Sequence, residues 1–174
     1  MLDALLKKEI LLGYGLASRK AWARQEARQL YHGACGRSWL HRVLSLLTRR
    51  VNHLLELAEV ETTGTVHNSY NIGMQTVPID RIRGSEGRYH DFDGAFCPLK
   101  DHLDSRWLRV AAARRLDVTL PPVRLIQVGD VYFVRDGHHR VSVARALGQQ
   151  YMEADVEVWQ VTGSLPWERL ADER

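Results

Sequence analysis

This sequence is poor in cysteine. Cys35 and Cys97 are the only two, they stand far apart, and neither sits in a spaced pattern. That argues against a disulfide framework and points to a reducing, cytoplasmic setting. His32 and Cys35 could form one metal-ligand pair, as HGAC, but no second pair accompanies them, which argues against a structural zinc. Long hydrophobic runs are missing as well. No apolar stretch approaches the ~18 residues of a membrane-crossing helix, so no membrane association is expected. The opening MLDALLKKEILLGYG interrupts its leucines with Asp3, Lys7 and Lys8, whereas an export signal places an unbroken apolar core after a basic start. No internal repeat or low-complexity tract is present.

What remains is a globular composition, 45% hydrophobic and 26% charged over 174 residues. That is enough for one ordinary domain with its own core and a helical extension. The net charge of +3 is unevenly spread. Residues 1–60 hold ten Lys and Arg against five Asp and Glu, while residues 61–174 hold fourteen against sixteen. The basic part is therefore N-terminal, which suits a nucleic acid or an acidic partner.

Hydrophobic spacing divides the chain. Leu16, Ala23, Ala27, Leu30 and Tyr31 keep a helical face that ends near Gly33. Ser38 can cap a second helix, on which Leu40, Val43, Leu44, Leu47, Val51, Leu54, Leu55 and Ala58 recur at helical spacing. The two predict an antiparallel helical hairpin over 1–60, whose leucine face suits a homodimer. Residues 61–75, ETTGTVHNSYNIGMQ, are polar and weakly periodic and read as a linker. From 76 to 174 the style changes. A short strand is expected over 77–82, a polar loop over 83–94 and a helix over 99–116, stopped by Pro121-Pro122. Val123–Val128 and Val131–Val134 flank Gly129-Asp130 as a β-hairpin. A helix then begins at His138, and residues 154–161 alternate as a last strand. The expected class is α+β: a small mixed-sheet domain preceded by the N-terminal helical hairpin.

The chemistry concentrates in RDGHHRVSVARALG, residues 135–148. Asp136 can cap the helix by accepting from the His138 or His139 amide, Gly137 permits the turn, and Gly148 can close the far end. None of this explains His138, His139 and Arg140 in the first turn, where the helix dipole disfavours positive charge unless an anion joins it. Free amides at a helix start favour phosphate, and these three side chains would reinforce that grip. Adjacent helical residues diverge by about 100°, so the two histidines do not suit a shared metal ion.

The segment from VPIDRI through LPPVRLIQVGDVYFVRDGHHRVSVARALGQQYMEADVEVW resembles the ParB/sulfiredoxin superfamily over about residues 76–161. The resemblance implies a phosphate-binding loop at Asp136–Arg140 and a nucleoside di- or triphosphate ligand (ATP, ADP or CTP) with Mg²⁺. Sulfiredoxins carry a cysteine where His138 stands, so sulfinic acid reduction is not implied here. ParB partition proteins bind CTP and add a DNA-reading domain after the last strand. Only about thirteen residues follow that strand here, so no such domain is expected. The free-serine kinase branch carries DGHHR itself, together with a catalytic glutamate six residues after an acidic one. Asp80 and Glu86 stand in that relation, which makes Glu86 the candidate base. In the same loop Arg83 and Arg88 are candidate phosphate ligands, and Asp91 and Asp93 could hold Mg²⁺.

Two functions compete on this reading. One is a nucleotide-binding protein that hydrolyses or transfers a phosphoryl group. The other is a ParB-like DNA-binding or regulatory module without turnover, its basic N-terminal helices touching phosphates through Arg42, Arg49 and Arg50.

Overall fold

The computed structural model describes residues 15, 17–34, 36, 53–99, 104–163 and 165–167. Helix α1 covers 17–34. Then follow β1 (Leu55–Glu56), α2 (Leu57–Thr63), β2 (Gly64–Pro78), a 3₁₀ turn (Ile79–Arg81), β3 (Ile82–Ser85), α3 (Asp104–Arg115), β4 (Val123–Val128), β5 (Val131–Asp136), α4 (His138–Ala146) and β6 (Tyr151–Gly163). The strands form one mixed sheet in the order β1-β3-β5-β4-β6-β2. β3 runs parallel to β1 and β5, and β4 runs parallel to β6. β4 with β5 and β6 with β2 are antiparallel. The class is the expected α+β.

Why β4 lies inside the sheet is written in VRLIQV. Val123 and Leu125 turn to one face and Ile126 and Val128 to the other, and all four are buried. The first face, with Val134 and Val156, packs under Val141 and Ala144 of α4 and over Phe92 and Phe96 from the loop after β3. The second face, with Val131 and Phe133, packs against Leu57 and Val60 of α2, with Leu165 and Trp167 at its rim. Phe133 also fixes its neighbour on β3. A Cβ on Gly84 would lie 2.1 Å from the Phe133 ring, so only glycine lets the two strands meet there.

Helix α1 is no detached extension. Its Ala27 is buried with Trp107 and Ala111 of α3 and Val143 of α4, and Tyr31 meets the Trp107 ring edge-on at 5.1 Å. Trp107 Nε1 donates to Ser142 Oγ at 2.7 Å, tying α3 to α4. Among the described residues no helix is long and apolar enough to cross a membrane.

Several expected boundaries move. Residues 61–75 are not a linker: they complete α2 and build most of β2, which pairs with β6 along its whole length. Each strand supplies the other's backbone partners, so weak periodicity in a two-sided exposed ribbon concealed it. Residues 77–82 are not one strand, since the 3₁₀ turn separates β2 from β3. The second N-terminal helix does not extend to Ala58 without interruption, because His53 forms a bridge, Leu55–Glu56 is extended, and a new helix starts at Leu57. Residues 37–52, where the rest of that helix is expected, lie outside the described residues. The hairpin at 129–130 stands, with Gly129 at φ +58°.

Candidate functional site

Helix α4 begins differently from the expectation. Its N-cap is Gly137, at φ 103° and ψ 22°, and no side chain caps the first turn. A Cβ at Gly137 would meet Val123 Cγ1 at 2.6 Å, so conformation and space both demand glycine. Asp136 is not the cap. Its carboxylate accepts from Arg140 Nη2 at 2.7 Å, one turn on. Arg140 Nη1 donates to the carbonyls of Pro121 and Pro122. Arg140 thus clamps the lead-in of β4 to the end of β5. At the far end Gly148 (φ 71°) closes the helix, with the Gly148 amide bonded to Arg145 O and the Gln149 amide to Ala144 O, each at 3.0 Å.

The two histidines are buried. His138 Nε2 lies 2.7 Å from Ser85 Oγ, at the end of β3, and its ring stacks on Phe92 with centroids 5.7 Å apart. Ser85 Oγ also accepts the Arg88 amide at 2.9 Å and the Gly87 amide at 3.3 Å. With its lone pairs so used, the hydroxyl donates to a neutral His138. His139 meets Phe92 edge-on at 5.3 Å. It is 4% exposed, and neither ring nitrogen has a hydrogen-bond partner among the described residues. Burial, reinforced by the positive charge of Arg88, pushes both imidazoles down to about 4. Arg106 adds to the effect on His139. The expected cationic lining is therefore corrected: at neutral pH His138 and His139 are uncharged, and Arg140 is spent on Asp136 and two carbonyls.

The loop candidates separate. Glu86 is not beside the histidines. Its carboxylate pairs with Arg135 at 3.0 Å, and Arg135 also binds Glu157. Arg135 alternates with Val134, which packs under α4, so this acid–base chain lies on the opposite face of the sheet. The indole of Trp159, foremost, and Arg135 hold the Glu157 carboxyl below its ordinary value. Arg83 is exposed on β3. Arg88 is brought to the site: it pairs with Asp91 at 2.8 Å and lies 5.6 Å from the centre of the Phe92 ring. Asp91 and Asp93 do not make a cation site together. Asp91 holds Arg88, while Asp93 is buried and accepts the amides of Ala95 and Cys97. Among the described residues no group of three or more His, Cys, Asp or Glu side chains is placed to hold a metal ion.

Ser85 was missed, because a serine in RGSEGR reads as loop. Phe92 was missed too, although Phe92 and Phe96 stand four apart in otherwise polar sequence, and that spacing was the available signal.

No protein-family model matches the chain, and no curated protein does. Among solved structures, sulfiredoxin from Arabidopsis thaliana is similar over 58% of this chain and 97% of that one, at 15% identity and a TM-score of 0.36.

Proposed function

We propose that the first turn of α4 binds the phosphoryl group of a nucleoside di- or triphosphate. The observation that carries this reading is His139: buried, neutral, without a partner at either ring nitrogen among the described residues, and within electrostatic reach of Arg88 and Arg106. A buried polar group left unsatisfied costs about 1–3 kcal/mol, and a ligand that completes it removes that cost. The first helical bonds come from the Arg140 and Val141 amides, so the His138 and His139 amides precede the ladder and are available to an anion. An anion seated there draws a proton onto His139 and interacts with Arg106, while Arg88 keeps its pairing with Asp91. Glu86, paired with Arg135 across the sheet, stands apart from this turn.

Calorimetric titration with ATP, ADP and CTP, each with and without Mg²⁺, tests the reading. The expected result is binding that weakens about tenfold or more in His139→Ala and in Arg88→Ala. Absence of binding to the wild type, or equal binding by both variants, overturns it.

A second reading, DNA binding without turnover, is favoured by one observation. A groove of about 410 Å³ between α1 and α3 is lined by Lys20, Arg24, Arg28 and Arg109, with no acidic side chain among the described residues of its walls. Three of these cations repeat every fourth residue along α1, an arrangement that is self-repelling unless an anion lies over it. Arg42, Arg49 and Arg50, the earlier candidates for this contact, lie outside the described residues. Gel shifts at rising salt separate the two readings: DNA binding that falls steeply with salt supports the second, and flat mobility removes it.

A further inference from the structure

A cavity of about 790 Å³ opens along the C-terminal half of α4, facing the 3₁₀ turn and the loop at 95–98. It is distinct from the first turn of the helix, since its α4 lining starts at Ser142 and runs on through Arg145. Pro78, Phe96, Pro98 and Trp107 supply apolar wall, and Arg145 supplies charge. Arg145 is only partly explained by the fold. Its Nη2 donates to the carbonyls of Ile79, at 2.9 Å, and Ile82, and its guanidinium carbon lies 4.9 Å from the centre of the Phe96 ring. Nε has no acceptor among the described residues. Burial lowers the pKa of the group, with Asp80 and Asp93 pulling the other way from a distance. No carboxylate among the described residues forms an ion pair with it. A largely desolvated cation with no carboxylate paired directly to it among the described residues, in the wall of a cavity of small-molecule size, is a ligand-binding arrangement.

We infer that this cavity binds an organic acid with a flat apolar body, its carboxylate paired with Arg145 and its body against Pro78 and Pro98. Asp80 in the rim and the buried Asp93 both oppose an anion, but Asp80 is solvent-exposed and screened and the Asp93 carboxylate is held by the amides of Ala95 and Cys97, whereas a charge near Arg145 interacts through a less polar medium. The attraction wins on that account. Arg81 adds a second cation to the rim, loosely held to Asp130 at 3.8 Å.

Ligand-observed NMR on the intact chain, with 1-naphthoate and its neutral isostere 1-naphthamide as probes, tests the inference. Naphthoate is expected to bind about tenfold more tightly than the amide, and Arg145→Gln to bring the two within about twofold. Because Arg145 also ties down Ile79 and Ile82, its loss could unfold the chain. Ala95→Trp is the second variant: it fills the cavity from an exposed loop position, leaves Arg145 in place, and should abolish naphthoate binding while thermal unfolding stays unchanged. Equal binding of acid and amide by the wild type overturns the inference. So does unaltered naphthoate binding by a folded Ala95→Trp chain. Saturating ATP should leave the naphthoate isotherm in place, and competition between the two would overturn the assignment to a separate cavity.

Discussion

Ser85 and His138 are hydrogen-bonded at 2.7 Å across 53 residues of sequence, and that bond joins the end of β3 to the start of α4. Both residues are buried, so the pair is a fixed strut between the sheet and the helix that carries the candidate site. The same hydroxyl gathers the amides of Gly87 and Arg88 and thereby sets the direction in which the loop leaves the strand.

Ser85→Ala removes one hydroxyl and leaves three polar groups short of a partner. Unfolding in urea should show a loss of about 1–3 kcal/mol with an unchanged slope. A variant as stable as the wild type would mean that His138 is held by Phe92 alone.

Both imidazoles are pushed from 6.5 to about 4 in the folded chain, chiefly by burial. The unfolded chain therefore takes up protons that the folded one refuses, and stability falls as pH drops from about 6.5 toward 4, by a few kcal/mol in all. Above that window the two groups contribute no slope. Denaturant titrations at several pH values read this directly. His139→Leu should remove about half of the dependence, and a profile flat from pH 7 to pH 4.5 contradicts the burial of both rings.

Gly137→Ala should be among the most damaging single changes. The residue sits at φ 103°, and the added methyl would press on Val123 and the Arg140 guanidinium. A loss on the order of 1–3 kcal/mol is expected from the backbone alone, with the clash added. Thermal unfolding measures it.

Glu86→Gln should be mild. The carboxylate is half-exposed, and its bond to Arg135 belongs to a surface chain, so stability should change by less than about 1 kcal/mol. Nucleotide affinity, measured by calorimetry, should stay within twofold of wild type. A large loss of affinity would place Glu86 at the ligand after all.

The sequence showed the strongly patterned parts of this fold well. The β4–β5 hairpin, the helix after Gly137, its Gly148 end and the last strand were all legible, because short-range turn chemistry and apolar spacing fix them locally. β2 was not legible, since its two faces are both exposed and its partner lies far along the chain. The site was legible as a location and misread as chemistry. Two histidines and an arginine at a helix start suggest positive charge. What decides their state is Phe92 folding over them and Asp136 capturing Arg140, and neither contact is written in local spacing.

The outer edge of β2 has a consequence for association. Its fifteen residues, Gly64–Pro78, include no Asp, Glu, Lys or Arg, yet Val66, Tyr70, Ile72 and Met74 are exposed on it. Strands at a rim are usually kept apart from other chains by charge, and among the described residues this one has, besides Pro78 at its end, only shape: the irregular steps at His67 and Ile72 that break its register against β6. Solitude here hangs on two kinks. Ironing one out by deleting His67 would offer a straight, chargeless rim to the next chain, and the solution would answer with concentration-dependent growth.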